Sequence, residues 1–155
     1  MEEKLAELDA EINYPLGIMF LDVNGLKQIN DTFGHDSGDE LLRKLAEILR
    51  DVCALRGFIC RIGGDEFAVI IVKTSKAELA NIKKNLLQRA KKEKVHSFDI
   101  SLAIGFAIKR TPEQSIRQIK IAADQLMFED KKKFKRSSWR KLDKGYNDGQ
   151  NSVNY

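Results

Sequence analysis

Residues 16–23 read Leu-Gly-Ile-Met-Phe-Leu-Asp-Val, and Asp22 is the one polar side chain among them. A half-exposed strand would alternate polar and apolar residues; a continuous apolar run of this length, bounded by Tyr14-Pro15 and Asn24-Gly25, predicts a central strand buried on both faces. Asp22 then emerges at the strand's C-terminal end.

The flanking segments supply the layers that such a strand needs. Residues 2–12 carry Leu5 and Leu8 between charges and predict a helix ending before Tyr14-Pro15. Residues 24–33 predict a short helix or turn-rich segment, and Gly34-His35-Asp36-Ser37-Gly38 a loop. Residues 39–53 repeat apolar side chains at Leu41, Leu42, Leu45, Ile48 and Leu49, a helical stripe that Asp39 would cap. Two β-rich runs, 58–62 and 67–72, flank Gly63-Gly64, whose freedom at positive φ suits a tight hairpin with Asp65 and Glu66 just past its tip. A further amphipathic helix is expected over 77–92, and a strand over 98–108 with Gly105 as a bulge. Pro112 stands where a last helix can begin, with Ile116, Ile119, Ala123, Leu126 and Met127 on its buried side. This order is neither a strict βα alternation nor a repeat. It predicts an α+β fold (α/β by some conventions), a central mixed sheet with an antiparallel hairpin, flanked by helices.

The chain has 155 residues, enough for one core. No apolar run approaches the ~20 residues of a membrane span, and the acidic start lacks the pattern of a signal peptide. These features predict a cytoplasmic domain with no membrane contact of its own. Cys53 and Cys60 are too few for a disulfide framework and are expected to be core thiols. Lysine-rich stretches at 83–94 and 131–144 suit either an anionic partner or a solvated helix face; no aromatic platform accompanies them, so nucleic acid is not expected. Residues 137–155 turn polar and predict a tail, partly disordered or forming a final edge strand.

Asp22 at a strand end and Asp65-Glu66 beside a hairpin tip could converge at one edge of the sheet. Three neighbouring carboxylates repel one another in a low-dielectric site. Magnesium resolves such repulsion with one or two protein carboxylates and the phosphates of a nucleotide. From spacing alone, separate exposed acids at strand ends are the favoured reading.

Arg61-Ile62-Gly63-Gly64-Asp65-Glu66-Phe67 contains Gly-Gly-Asp-Glu-Phe and resembles the GGDEF family of diguanylate cyclases. Leu21-Asp22-Val23-Asn24-Gly25-Leu26-Lys27-Gln28-Ile29-Asn30-Asp31, followed by Phe33-Gly34-His35-Asp36-Ser37-Gly38-Asp39, is similar to that family's second signature. Ser101-Leu102-Ala103-Ile104-Gly105 and Ala123-Asp124-Gln125-Leu126-Met127-Phe128 resemble its later strand and last helix. The resemblance covers about residues 3–136 and implies a domain over 1–136 with a sheet like those of nucleotide cyclases and polymerase palms. It implies Mg2+ (or Mn2+) held by the carboxylates of Asp22 and Asp65 and the carbonyl of Val23, with Asp65 and Glu66 as the catalytic acids. It implies GTP bound by Lys27, Asn30, Asp39, Gly63, Gly64, Lys131 and Lys135, Asn30 and Asp39 reading guanine. Two GTP would be joined into cyclic di-GMP across a transient homodimer, in bacterial second-messenger signalling. The alternative is a catalytically silent nucleotide-binding regulatory domain of the same fold.

Three departures carry expectations of their own. The family's opening Asp-x-Leu-Thr-Gly-Leu-x-Asn-Arg segment is missing, which implies a piece of a larger protein with an N-terminal sensory or regulatory domain, and a location that includes the cytosolic part of a membrane-anchored protein. Lys135-Arg136-Ser137 stands where Gly-Arg-Asn is usual. Ala54 and Gly57 stand at the two ends of the Arg-x-x-Asp product-inhibition motif, so feedback through that site should be missing.

Overall fold

The computed structural model describes residues 1–53 and 57–148, and of residues 134–148 the helical backbone alone. Helix α1 (Glu2–Leu8) and a 3-10 turn (Glu11–Asn13) lead into strand β1 (Leu16–Asn24). Helices α2 (Leu26–Phe33) and α3 (His35–Cys53) follow, then the hairpin of β2 (Gly57–Arg61) and β3 (Glu66–Ile71). Helix α4 (Lys76–Ala90), a small hairpin of β4 (Lys94–Val95) and β5 (Phe98–Asp99), strand β6 (Ser101–Lys109) and helix α5 (Ile116–Asp148) complete the order. The main sheet runs β2-β3-β1-β6, and each of its pairings is antiparallel. It is therefore antiparallel throughout and not mixed: each helical crossover places the next strand two positions away, and an oppositely directed strand fills the gap, a β-α-β-β-α-β arrangement.

Every residue of β1 is buried, as its composition requires. Side chains alternate across a strand. Met19, Leu21 and Val23 enter a core with α3 and α4, whereas Leu16, Ile18 and Phe20 enter a second core with Leu5 of α1 and Ala123 and Met127 of α5. Asp22 has the parity of Phe20, so it belongs to the α5 face. On that face Gly105 lies opposite Phe20 in an unbroken register; it is not a bulge. Its glycine has another cause. A Cβ there would sit 2.1 Å from the Ala123 carbonyl oxygen and 2.1 Å from the Met127 nitrogen, so the backbone of α5 lies directly on the strand.

Four other expectations are corrected. Helix α1 stops at Leu8 because the Asp9 carboxylate is taken by Lys109 (2.6 Å) and the Tyr14 hydroxyl (2.6 Å), which turns the chain out of the helix. Helix α3 begins at His35, so Asp39 lies inside it and caps nothing; contact with α2 holds a first turn that propensity would leave as loop. Among the described residues, the glycines at positive φ are Gly25 (83°) and Gly34 (88°), on either side of α2, and not Gly63 or Gly64. Finally, α5 runs to Asp148, where composition suggested a disordered tail or an edge strand; straight-chain Lys and Arg residues are good helix formers and carry the helix on. Residues 149–155 lie outside the described residues.

The Asp9–Lys109 pair closes the sheet end remote from Asp22. Lys109 is 4% exposed and its ammonium also lies 5.0 Å from the Tyr14 ring centroid. Burial pushes the Asp9 carboxyl up, but hydrogen bonds from Lys109 and Tyr14 and the charge of Lys109 outweigh it and hold Asp9 below 3.8. Burial likewise pushes Lys109 down, yet the bonds with Asp9 and Tyr14 keep it above 10.5.

Two outcomes follow. Gly105→Ala should lower the urea midpoint by the equivalent of about 3 kcal/mol, since the obstructing atoms are backbone and cannot rotate away. For Asp9, a depressed folded-state pKa means that its stabilisation is present above pH 3.8 and lost as pH falls through the lower folded value. Asp9→Asn should therefore be less stable than the parent by a constant margin near neutrality, and that margin should close as both are unfolded at progressively lower pH below about 4.

Candidate functional site

The β1–β3 register sets Asp22 directly opposite Glu66, and directly opposed residues of an antiparallel pair share a face. One residue on, the Val23 N–H donates to the Asp65 carbonyl (2.9 Å), which ties the end of the hairpin to the end of β1. In extended backbone the Val23 C=O faces the same edge as its N–H and so looks toward the hairpin. Strand pairing thus brings Asp22, Val23, Asp65 and Glu66 together.

The hairpin connection is held from within. Arg61 donates through Nε to the Gly63 carbonyl (3.1 Å) and through Nη2 to the Gly64 carbonyl (2.6 Å). The Glu66 carbonyl accepts from Ile62 N–H (2.9 Å) and Gly63 N–H (3.3 Å). A Cβ on Gly63 would meet Glu66 Oε2 at 2.7 Å, so that carboxylate folds back over the glycine; a Cβ on Gly64 would meet nothing within 4 Å. One glycine makes room for a carboxylate and the other leaves open backbone.

Asp22 is 2% exposed, and Lys131 of α5 donates from Nζ to its Oδ2. The cation comes from α5 because Asp22 is on the face that α5 covers. Next to this pair Asn24, also on that face, donates from Nδ2 to Ser101 Oγ (3.1 Å), joining the ends of β1 and β6. A cavity of about 260 Å³ opens on the α5 side of the hairpin, with Phe20, Ile62, Glu66, Lys120, Asp124 and Met127 in its wall.

Asn30 and Asp39 sit apart from the carboxylates, at the corner between α2 and α3. A Cβ on Gly38 would lie 1.9 Å from Asn30 Oδ1, so the helices touch there and Asn30 is packed beside the turn that carries Asp39. Asn30 Oδ1 is buried without a hydrogen-bond partner among the described residues, whereas Asp39 is exposed. Since α2 starts at Leu26, directly after β1, this corner stands over the same end of β1 as Asp22. Sequence reasoning missed Gly38, although a glycine inside what proves to be a helix is the signal of a close approach. Lys27 is exposed on α2; Lys135 lies on α5 beyond the described side chains.

No three His, Cys, Asp or Glu side chains among the described residues form a ready-made metal cage. The donor set nevertheless fits a hard divalent cation that relies on substrate for its remaining ligands: Asp22 and Asp65 carry hard carboxylate oxygens and Val23 a carbonyl, all at one strand end.

No helix among the described residues is long and apolar enough to cross a membrane. The family described as diguanylate cyclase, GGDEF domain, matches residues 1–137. The chain is 33% identical over 117 residues to the diguanylate cyclase DosC of Escherichia coli K12, covering 72% of this chain and 25% of that protein. It is 33% identical over 137 residues to the signaling protein YkoW of Bacillus subtilis, covering 85% of this chain and 17% of that one. It therefore spans a quarter or less of these relatives. Among solved structures, the active GGEEF domain of a diguanylate cyclase from Vibrio cholerae aligns with a TM-score of 0.74 at 27% identity, over 84% of this chain and 85% of that one. The GGDEF domain of DgcB from Caulobacter crescentus, in complex with c-di-GMP, aligns with a TM-score of 0.73 at 26% identity, over 84% and 79%. With its signature residues on the β2–β3 hairpin and its match spanning both cores, the chain belongs to the GGDEF diguanylate cyclase family.

Proposed function

We propose that this domain condenses two GTP into cyclic di-GMP and two pyrophosphates, with a divalent cation, Mg2+ or Mn2+, and with two copies facing each other about a twofold axis. The observation that carries the reading is the convergence of Asp22, Val23, Asp65 and Glu66 at one strand end with the Lys131 ammonium beside them.

Asp22, Asp65 and the Val23 carbonyl would hold the cation, which when bound offsets charge on the phosphoryl oxygens and lowers the pKa of the attacking hydroxyl. Lys131 is placed to turn from Asp22 to a phosphate. Lys27 and Lys135 are further candidates for phosphate contact. Gly64, with open space over its Cα, lets the nucleotide approach the hairpin backbone, and Gly63 does so beside the folded-back Glu66. At each of the two bonds the 3′-oxygen of one GTP joins the α-phosphorus of the other. The bond from that phosphorus to the β-phosphate's bridging oxygen breaks, pyrophosphate leaves, and the hydroxyl proton passes to Glu66 or to water. One domain binds one GTP, so two bonds related by symmetry call for a C2 pair.

Guanine selection belongs to the α2–α3 corner. An aspartate accepts two hydrogen bonds, from guanine N1–H and the exocyclic amine, whereas adenine has no matching donors. The exposed Asp39 and the buried amide oxygen of Asn30 suit that task. Product feedback is expected to be weak: Gly57 opens β2 with Val69 Cγ1 3.0 Å and the Cys53 carbonyl 3.2 Å from any added Cβ, and Ala54 lies outside the described residues. The longer protein would place a sensory or regulatory domain N-terminal to this one, and the domain itself would work in the cytoplasm.

The test is synthesis of cyclic di-GMP from GTP and Mg2+, followed by chromatography. Asp65→Asn should lower it at least about a hundredfold with the fold retained, because an amide is a much weaker ligand for a hard cation. Unimpaired turnover by the variant would reject Asp65 as a ligand of the cation, and no product from the parent chain would reject the cyclase reading in favour of a silent nucleotide-binding domain. Asp39→Ser should reduce selectivity for GTP over ATP by about ten- to a hundredfold, the effect of leaving guanine donors unpaired. Helix α3 should survive, because the exposed Asp39 is replaced by a residue of similar helix propensity. Competition between the two nucleotides, with products resolved by mass, checks this.

A further inference from the structure

Strand β6 is an edge of the sheet, and Ile104 turns its backbone N–H and C=O outward, away from β1. Both groups are engaged. The N–H donates to Asp130 Oδ2 of α5 (3.1 Å), and the C=O accepts from Lys83 Nζ of α4 (2.5 Å). Lys83 and Asp130 also pair with each other at 2.9 Å, so a closed ring of three contacts wraps the strand. Helices α4 and α5 cover opposite faces of the sheet, and this ring joins them around its edge. Covering an open edge is a sufficient reason for a charge pair, but here the pair also adjoins the site.

Asp130 is the residue before Lys131. Consecutive residues of a helix are fixed about 100° apart around its axis, so anchoring the Asp130 carboxylate to β6 sets the direction in which Lys131 leaves α5. The other anchor is Gly105, where the α5 backbone at Ala123 and Met127 lies on the strand. Gly105 sets how close the helix lies, and Asp130 sets how it is rotated. A lysine ammonium on four flexible carbons ranges widely unless its helix turn is fixed.

We propose that Asp130, held with Lys83 at the β6 edge, is a positioning residue that aims Lys131 at Asp22. Its kinetic consequence rests on the proposed role of Lys131 at the nucleotide phosphates; its structural consequence does not.

Two measurements test it. In the nucleotide-free chain, urea unfolding of Lys131→Met, Asp22→Asn and the double variant gives the coupling between those side chains. That coupling should be about fivefold in the unfolding equilibrium constant and should vanish when the same cycle is repeated in Asp130→Ala. In steady-state synthesis, Asp130→Ala should raise KM for GTP about fivefold, and adding Lys131→Met should then cost little more. Asp130→Asn, which keeps an acceptor for the Ile104 N–H, should restore most of the affinity. Coupling that survives in Asp130→Ala, or an equal cost of Lys131→Met with and without Asp130, would overturn the proposal and leave an edge cover only. If Asp130→Ala does not fold, Lys83→Met replaces it, with the same expected direction and the same overturning result. A parent chain that makes no cyclic di-GMP would reject the cyclase reading, while the unfolding cycle would still decide the positioning role.

Discussion

Strand β1 is paired along both edges and covered on both faces, and a charge within it cannot be left to solvent. An ionised carboxylate removed from water requires a nearby partner, since desolvation alone costs several kcal/mol. Strand alternation decides where that partner comes from. Asp22 follows Phe20 by two residues and so faces α5, and Lys131 of α5 meets it. The same parity places Glu66 of β3 beside it. The chemistry-bearing end of the molecule is a consequence of register: a slip of one residue between β1 and β3 would send Asp22 or Glu66 into the apolar core with α3 and α4.

Helix α5 is correspondingly fixed to the sheet at two further points. It meets the sheet through backbone at Gly105, and through a carboxylate at the open edge of β6. The contrast with the remote end is instructive. There Lys109 comes from the strand and Asp9 from the N-terminal segment, and Tyr14 completes the network. Both ends of the sheet bury an acid against a lysine. At the Asp22 end, further acids, Asp65 and Glu66, stand at the same strand terminus. A hard divalent cation suits such a grouping of carboxylates.

Much of this was legible in the sequence. The unbroken apolar run of residues 16–23 identified the central strand, and the periodicity of Leu41, Leu42, Leu45, Ile48 and Leu49 the helix on one of its faces. The glycines were legible as glycines but not as to cause. Gly105 suggested a bulge because a strand pattern carries no sign of the helix that will cross it. Gly63 and Gly64 suggested positive φ, whereas that conformation belongs to Gly25 and Gly34. Asp39 looked like a cap because local chemistry favours that position, and the contact of Gly38 with Asn30, which extends α3 by a turn, is tertiary. The β4–β5 hairpin was missed since pairs of two residues are too short for any period to register. Which acids converge was left open by spacing and follows from strand pairing, which no local pattern encodes.

That small hairpin bears on the site as well. His96, at its turn with φ 53°, stacks on Phe33 with ring centroids 4.4 Å apart and meets Ser37 Oγ at 3.0 Å, while Phe98 packs edge-on against Phe33 at 5.6 Å. Phe33 ends α2 and Ser37 lies in the first turn of α3, so the hairpin braces the corner that holds Asn30 and Asp39. The Ser37 hydroxyl donates to the Phe33 carbonyl (3.2 Å), which leaves its oxygen to accept from the imidazole N–H. The two halves of the site rest on different supports, the carboxylates on strand register and the α2–α3 corner on aromatic packing. On the proposed reading, base recognition and phosphoryl chemistry would then be open to separate perturbation.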